Sequence, residues 1–258
     1  MSKYQEAFNL SLSDPNKFWG NAADQVKWTK KYDKVVHCEE PPFYRWFKGG
    51  KINTCYNALD RHVDEGNGDR TALIFDSAMT NTKKKYSYKE LRDKTAKLAG
   101  GLLRQGVKKG DRVIIYMPMI PEAIQAMMAC ARIGAVHSVV FGGFASNELA
   151  SRIDDSGAKV ILSASCGLEP GRTVDYKPLL EGSIKLAKHK VEKVVVYQRD
   201  VQAIELSDGF VDWNEFIEGA RFLLPNVVYK ECLDIIQSNE ADIPKKIVLR
   251  IAEYKLTL

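Results

Sequence analysis

The sequence has no apolar run approaching the roughly 20 residues that a helix needs to cross a bilayer. Its first residues, MSKYQEAFNL, lack the basic-then-apolar layout of a signal peptide and the Arg-rich, acid-poor character of a transit peptide. Paired cysteines are missing as well. Cys38, Cys55, Cys130, Cys166 and Cys232 are scattered, odd in number and form no C-x-x-C, so neither a disulfide framework nor a zinc site is predicted. These absences predict a reducing, intracellular location without a membrane anchor. Charge excess is small: 38 Lys plus Arg against 33 Asp plus Glu give +5. The densest basic runs, Lys83-Lys84-Lys85 and Lys108-Lys109, carry no interleaved aromatic stacking platform, so no nucleic-acid partner is predicted. Two readings of these runs stand, as solvated turns or as a surface attracting an anionic small molecule. Nucleotide and hydrolase fingerprints fail in turn, since G-x-G-x-x-G, H-E-x-x-H and G-x-S-x-G do not occur. Gly101 to Lys108 has the glycines of a P-loop at the wrong end of a helix and reads as a C-cap.

What remains is ordinary globular composition, 45% hydrophobic and 28% charged, over 258 residues, enough for a substantial core. From Asp111 to Gln198 short β-branched runs alternate with amphipathic stretches, which predicts an α/β fold with a mostly parallel sheet and flanking helices. The predicted strands are Arg112 to Met117, Ala135 to Val140, Lys159 to Ala164 and Lys193 to Tyr197. Pro121 suits a first helical turn and Gly134 its left-handed end, with Ile124, Met127, Met128 and Ala131 predicted on the inward face. Ser146 is the predicted cap of the next helix, with Glu148 in its first turn, and a third helix is expected from Pro178 to about His189. Upstream, Ser87-Tyr88-Lys89-Glu90 is a capping-box pattern opening a helix lined by Leu91, Leu98, Leu102 and Leu103 and closed by Gly106. Thr71 to Asp76 and Lys85 to Tyr88 are read as an antiparallel pair before it. Three regions follow: residues 1–65, aromatic-rich and expected to wrap over the main domain; residues 66–220, the α/β subdomain; and residues 221–258, a divergent tail.

Two segments stand after strand C-termini, where ligands bind in open α/β sheets. They are Phe141-Gly142-Gly143-Phe144 and Cys166-Gly167-Leu168-Glu169-Pro170-Gly171-Arg172. Paired glycines allow close backbone approach, and a guanidinium beside a Gly turn can grip a phosphate. On chemistry alone each is equally a tight turn or a ligand loop.

Met117-Pro118-Met119-Ile120-Pro121-Glu122-Ala123, the run Ala129 to Phe144, and Ser151-Arg152-Ile153-Asp154-Asp155-Ser156 together resemble the amino-terminal half of AMP-forming acetyl- and propionyl-CoA synthetases. The resemblance extends from Phe18-Trp19, through Arg45-Trp46-Phe47 and Cys55 to His62, to about Asp212-Trp213. It implies the first part of an adenylate-forming large domain, an ATP-dependent ligase that joins a short-chain carboxylate to coenzyme A, and the mitochondrial matrix or cytoplasm as compartment. The "EPGR" wording leans toward propionate over acetate. By resemblance, Glu169, Pro170, Gly171 and Arg172 contact coenzyme A, with Arg172 on its phosphates, and Gly142 and Gly143 form a wall beside the thiol arm. The family's Tyr-Thr-Ser-Gly-Thr-Thr-Gly-like loop for Mg-ATP and its catalytic lysine have no counterpart before Leu258, and Lys245, Lys246 and Lys255 lie in unrelated contexts. The expectation is therefore no adenylation by these residues alone. The alternative is a non-catalytic fragment that binds coenzyme A or associates with a homologous chain. His62 and His137 are read as structural.

Overall fold

Continuous apolar runs between Asp111 and Gln198 can be buried on both faces, and they form the central sheet. The structure is a computed structural model in which residues 2–220, 222 and 223 are described. The predicted tail thus lies almost wholly outside the described residues. The chain packs as two units divided after Asn57.

In the first unit, α1 (Lys3–Ser13) and α2 (Pro15–Ala23) precede an antiparallel pair, β1 (Lys34–Glu40) and β2 (Phe43–Lys48). The aromatic residues seen in the sequence pack on one another. Trp28, Tyr32 and Phe47 form a cluster with ring centroids 5.1–5.4 Å apart, and the Trp28 indole N–H donates to the Ala23 carbonyl at 2.8 Å.

The second unit opens with α3 (Arg61–Asp64), the antiparallel β3 (Thr71–Ser77) and β4 (Thr82–Ser87), and α4 (Tyr88–Arg104). The capping box is formed as read: the Glu90 N–H donates to Ser87 Oγ at 3.1 Å, and the Ser87 N–H donates to the Glu90 carboxylate at 2.8 Å. Leu91, Leu98 and Leu102 are buried, but Leu103 is 40% exposed. Five residues beyond Leu98 on a 3.6-residue turn place it about 140° around the helix.

The parallel sheet comprises β5 (Arg112–Met117), β6 (Val136–Phe141), β7 (Val160–Ala164), β10 (Lys193–Tyr197) and β11 (Phe210–Asp212), in the order β11-β10-β7-β5-β6. Two of the predicted strands therefore begin one residue late, and β11 was not anticipated. Between β7 and β10 the chain inserts a hairpin, β8 (Cys166–Glu169) and β9 (Arg172–Asp175), also unforeseen.

Alternation along β5 sends Val113, Ile115 and Met117 to one face of the sheet and Ile114 and Tyr116 to the other. Helices α4, α5 (Pro121–Ile133) and α8 (Trp213–Ile217) cover the first face; α6 (Ser146–Ser156) and α7 (Lys177–Leu186) cover the second.

Three helix readings need correction. In α5 the buried residues are Pro121, Ala123, Gln125, Ala126, Ala129, Cys130 and Arg132, while Ile124, Met127, Met128 and Ala131 are only partly buried. Small side chains let the helix axis approach the sheet, and the larger ones are left at its flanks. Ser146 does not cap α6. It is the first helical residue, and its hydroxyl donates to the Leu179 carbonyl at 3.0 Å, tying α6 to α7. Helix α7 stops at Leu186, short of His189, because the Asp154 carboxylate accepts the N–H groups of Lys188 and His189, each at 2.8 Å, and draws the chain away. Leu180 is buried as read, and Ile184 and Ala187 pack at the edge of the core.

His137 sits half-buried in β6, and burial lowers its pKa below 6.5. A histidine held neutral by the fold lets the unfolded chain bind the proton first as pH falls through the unfolded value, so stability drops below that point. His137→Asn is expected to flatten the loss of melting temperature between about pH 7 and 5. An unchanged pH slope would show that another group titrates there.

Candidate functional site

A five-stranded order in which β5 is followed by β6 on one side and β7 on the other creates a switch point, where connections depart to opposite faces. A cleft of about 660 Å³ opens there. Four strand ends contribute: Met117–Ile120 after β5, Phe141–Gly143 after β6, Gly167–Glu169 after β7, and Arg199 after β10. The end of β3 and the start of the β3–β4 connection, Phe75 to Met79, close one side. Its volume is that of a small-molecule site, and half of its lining residues are Met, Phe, Val, Leu or Ile.

The Gly-Gly turn is held from beneath. The Tyr116 hydroxyl donates to the Phe144 carbonyl at 2.8 Å and accepts the Gly143 N–H at 3.1 Å. That N–H is consumed, so Gly143 offers the cleft a surface and not an anion donor. At φ +101° with nothing within 4 Å of a Cβ, Gly143 is demanded by backbone conformation. Gly142 is demanded by space. A Cβ there would overlap the Tyr176 hydroxyl and lie 2.8 and 2.9 Å from the Met117 carbonyl carbon and oxygen. Tyr176, 1% exposed, lies 5.0 Å from the Tyr116 ring, and Gly167 also adjoins it, since a Cβ there would lie 2.5 Å from the same hydroxyl. Desolvation pushes the Tyr176 phenol well above its ordinary range, so it is neutral.

The residues predicted by resemblance are divided by the fold. Gly142, Gly143 and Glu169 line the cleft, whereas Pro170, Gly171 and Arg172 form the two-residue tip and first β9 position of the hairpin and are not among its walls. Pro170 followed by Gly171 at φ +79° is the pattern of a type II turn. The Arg172 side chain, 70% exposed, is paired with Glu169 through Nε at 2.7 Å and Nη2 at 2.6 Å.

The cleft's cation is Arg199, which sequence reading missed. Among the described residues it is the one Lys or Arg that lines the cleft. Its backbone N–H donates to Ser165 Oγ at 2.9 Å, that hydroxyl donates to the Gln202 carbonyl at 2.6 Å, and its Nη1 donates to the Cys166 carbonyl at 3.1 Å. The signal was available: Arg199 stands two residues beyond a strand end, the position that singled out the other two loops. Among the described residues no group of three or more His, Cys, Asp or Glu is placed to hold a metal ion, and no helix is long and apolar enough to cross a membrane.

Comparison with known proteins agrees with this architecture. Residues 59–226 match the family described as AMP-binding enzyme, and residues 4–58 match that described as acetyl-coenzyme A synthetase N-terminus. The chain is 44% identical over 261 residues to the human acyl-CoA synthetase short-chain family member 3, mitochondrial, covering 100% of this chain and 38% of the relative. It is 43% identical over 215 residues to an acetyl-coenzyme A synthetase of Streptomyces coelicolor, covering 83% of this chain and 33% of that one. Similarity thus continues past Trp213, beyond where the motifs end. An acetoacetyl-CoA synthetase from Streptomyces lividans shares the fold, with a TM-score of 0.77 over 87% of this chain and 34% of that one, at 23% identity. The chain spans 38% of the length of the human relative. With its family match covering well over half of its residues, the chain belongs to the AMP-binding enzyme family, alongside the short-chain acyl-CoA and acetyl-CoA synthetases.

Proposed function

We propose that this chain forms the coenzyme A-facing part of an ATP-dependent ligase that joins propionate or acetate to coenzyme A, in the mitochondrial matrix or cytoplasm. The observation that supports this most is the meeting of Gly142, Gly143 and Glu169 on one cleft at the strand ends, with Arg172 on the turn that follows directly. The residues fit the ligand's chemistry. Apolar walls beside a side-chain-free Gly143 suit a slender, partly apolar thiol arm, and two guanidinium groups, Arg199 within the cleft and Arg172 at the hairpin tip, suit phosphates. A carboxylate is a poor electrophile, and Mg-ATP supplies the leaving group it lacks. No described residue is assigned to ATP or Mg. What these residues contribute is positioning of the thiol carrier and shielding of its arm from water.

The hairpin ion pair gives the test an unusual sign. Glu169 occupies the guanidinium that a phosphate would need, and both side chains are exposed enough for solvent to screen their attraction. Arg172→Ala is expected to weaken coenzyme A binding to the full chain roughly two- to tenfold in calorimetry, while Glu169→Gln strengthens it. Equal affinity in wild type and both variants would remove the hairpin from the site.

A further inference from the structure

We propose a second ligand site, an oxyanion pocket on the α4 side of the sheet, whose wall Lys84, Lys94 and Lys97 share with Gln125. Alternation along β4 puts Lys84 and Tyr86 on one face, and the three-residue spacing of Lys94 and Lys97 puts them on one side of α4. Two adjoining cavities of about 230 and 470 Å³ share Lys84, Tyr86, Glu122 and Tyr197 as walls. Gln125 lines the smaller one, together with Lys94 and Lys97.

The amide of Gln125 points to a ligand. The residue is 3% exposed, yet its Nε2 has no hydrogen-bond partner. A buried donor without a partner is destabilising and is normally completed by water, an ion or a ligand. The Thr80 hydroxyl, on the wall of the larger cavity, is likewise buried without a partner. Cations share these walls. Lys83 is paired with Asp76 at 2.8 Å, but Lys84, Lys94 and Lys97 make no ion pair among the described residues, and the Lys84 ammonium lies over the Tyr86 ring at 5.1 Å.

The complement of such a set is compact and rich in acceptors. Glu122 is the opposing residue: it lines both cavities, and Asp200 lines the larger. Desolvation raises the Glu122 pKa, with a backbone hydrogen bond and then Lys94, Lys84 and Arg199 drawing it back. Tyr197, raised to about 12 by desolvation first, and Tyr86, raised by the same cause, remain neutral donors. The ligand class is a phosphoryl oxyanion, either free or carried on a nucleotide.

Calorimetric titration of the full chain with inorganic phosphate, pyrophosphate and ADP tests this. We expect saturable binding that weakens with added salt, falls roughly three- to thirtyfold in the K94Q/K97Q variant, and leaves coenzyme A affinity unchanged there. Gln125→Leu should lose affinity while melting close to wild type, since the Nε2 donor it removes has no partner to lose. Preference for pyrophosphate over ADP identifies a free anion as the source, and the reverse preference identifies a nucleotide; both sustain the site. No saturable binding of any of the three, or equal affinity in wild type and K94Q/K97Q, overturns it.

Discussion

Asp60→Ala is expected to cost about 3–5 kcal/mol, because it strands a buried guanidinium. Asp60 and Arg132 are 2% and 3% exposed, and Arg132 Nη2 donates to Asp60 Oδ2 at 2.6 Å. Burial raises the Asp60 carboxyl above its ordinary value while Arg132 pulls it down, the usual contest for an enclosed pair. The pair joins the start of α3 to the last turn of α5, 72 positions away in sequence, and Arg132 Nη1 also reaches the Leu223 carbonyl at 3.2 Å. For a domain of this size the loss corresponds to roughly 6–20 °C in melting temperature. The Asp60→Leu/Arg132→Met double variant should recover at least half, since an apolar replacement of similar volume removes both desolvation penalties. A drop below about 1 kcal/mol for Asp60→Ala would show that the carboxylate is solvated in solution.

Gly142→Ala is the second large effect, and its comparison with Gly167→Ala separates two kinds of crowding. Overpacking of this degree costs about 1–3 kcal/mol. The three atoms nearest a Cβ at Gly167 all belong to Tyr176, its hydroxyl, Cε1 and Cζ, between 2.5 and 3.0 Å. At Gly142 it would also meet the Met117 carbonyl, which is backbone and cannot swing aside. Adding Tyr176→Phe should therefore restore part of the stability lost in Gly167→Ala and little of that lost in Gly142→Ala. Thermal melts of the four variants decide it. Equal rescue of both would mean that β5 shifts to accommodate the new methyl group. Coenzyme A binding by Gly142→Ala should fall further than stability alone explains, because Met117 and Gly142 both line the cleft.

Local signals in the sequence were decisive where one residue fixes one backbone feature. The Ser87–Glu90 box, Pro121 at the head of α5, and Gly134 at φ +71° at its end could all be placed without tertiary knowledge. Strands β5, β7 and β10 were legible because burial on both faces leaves an unbroken apolar run. Sheet order was not, since nothing local states that β6 returns past β5 to place β7 on its other side. Helix faces failed for a related reason. In α5, large apolar residues suggested the inward face, yet the axis comes close to the sheet through Ala123, Ala126 and Ala129. For the site, glycine-bearing loops drew notice while Arg199 did not: its place after a strand end was readable, but one arginine there adds no further pattern until the neighbouring strand ends are assembled around it.

The hairpin tip has a consequence for reading relatives. Glu169 faces Arg172 across a connection of only two residues, and Gly171 holds a left-handed backbone that most side chains resist. One added residue between them would shift the pairing and turn the guanidinium to the opposite side of the ribbon. Loop length is therefore a coordinate of specificity in its own right. A relative that kept both charges but lengthened this turn would present its arginine elsewhere, and one that kept the length while changing either charge would alter how freely the arginine meets an anion.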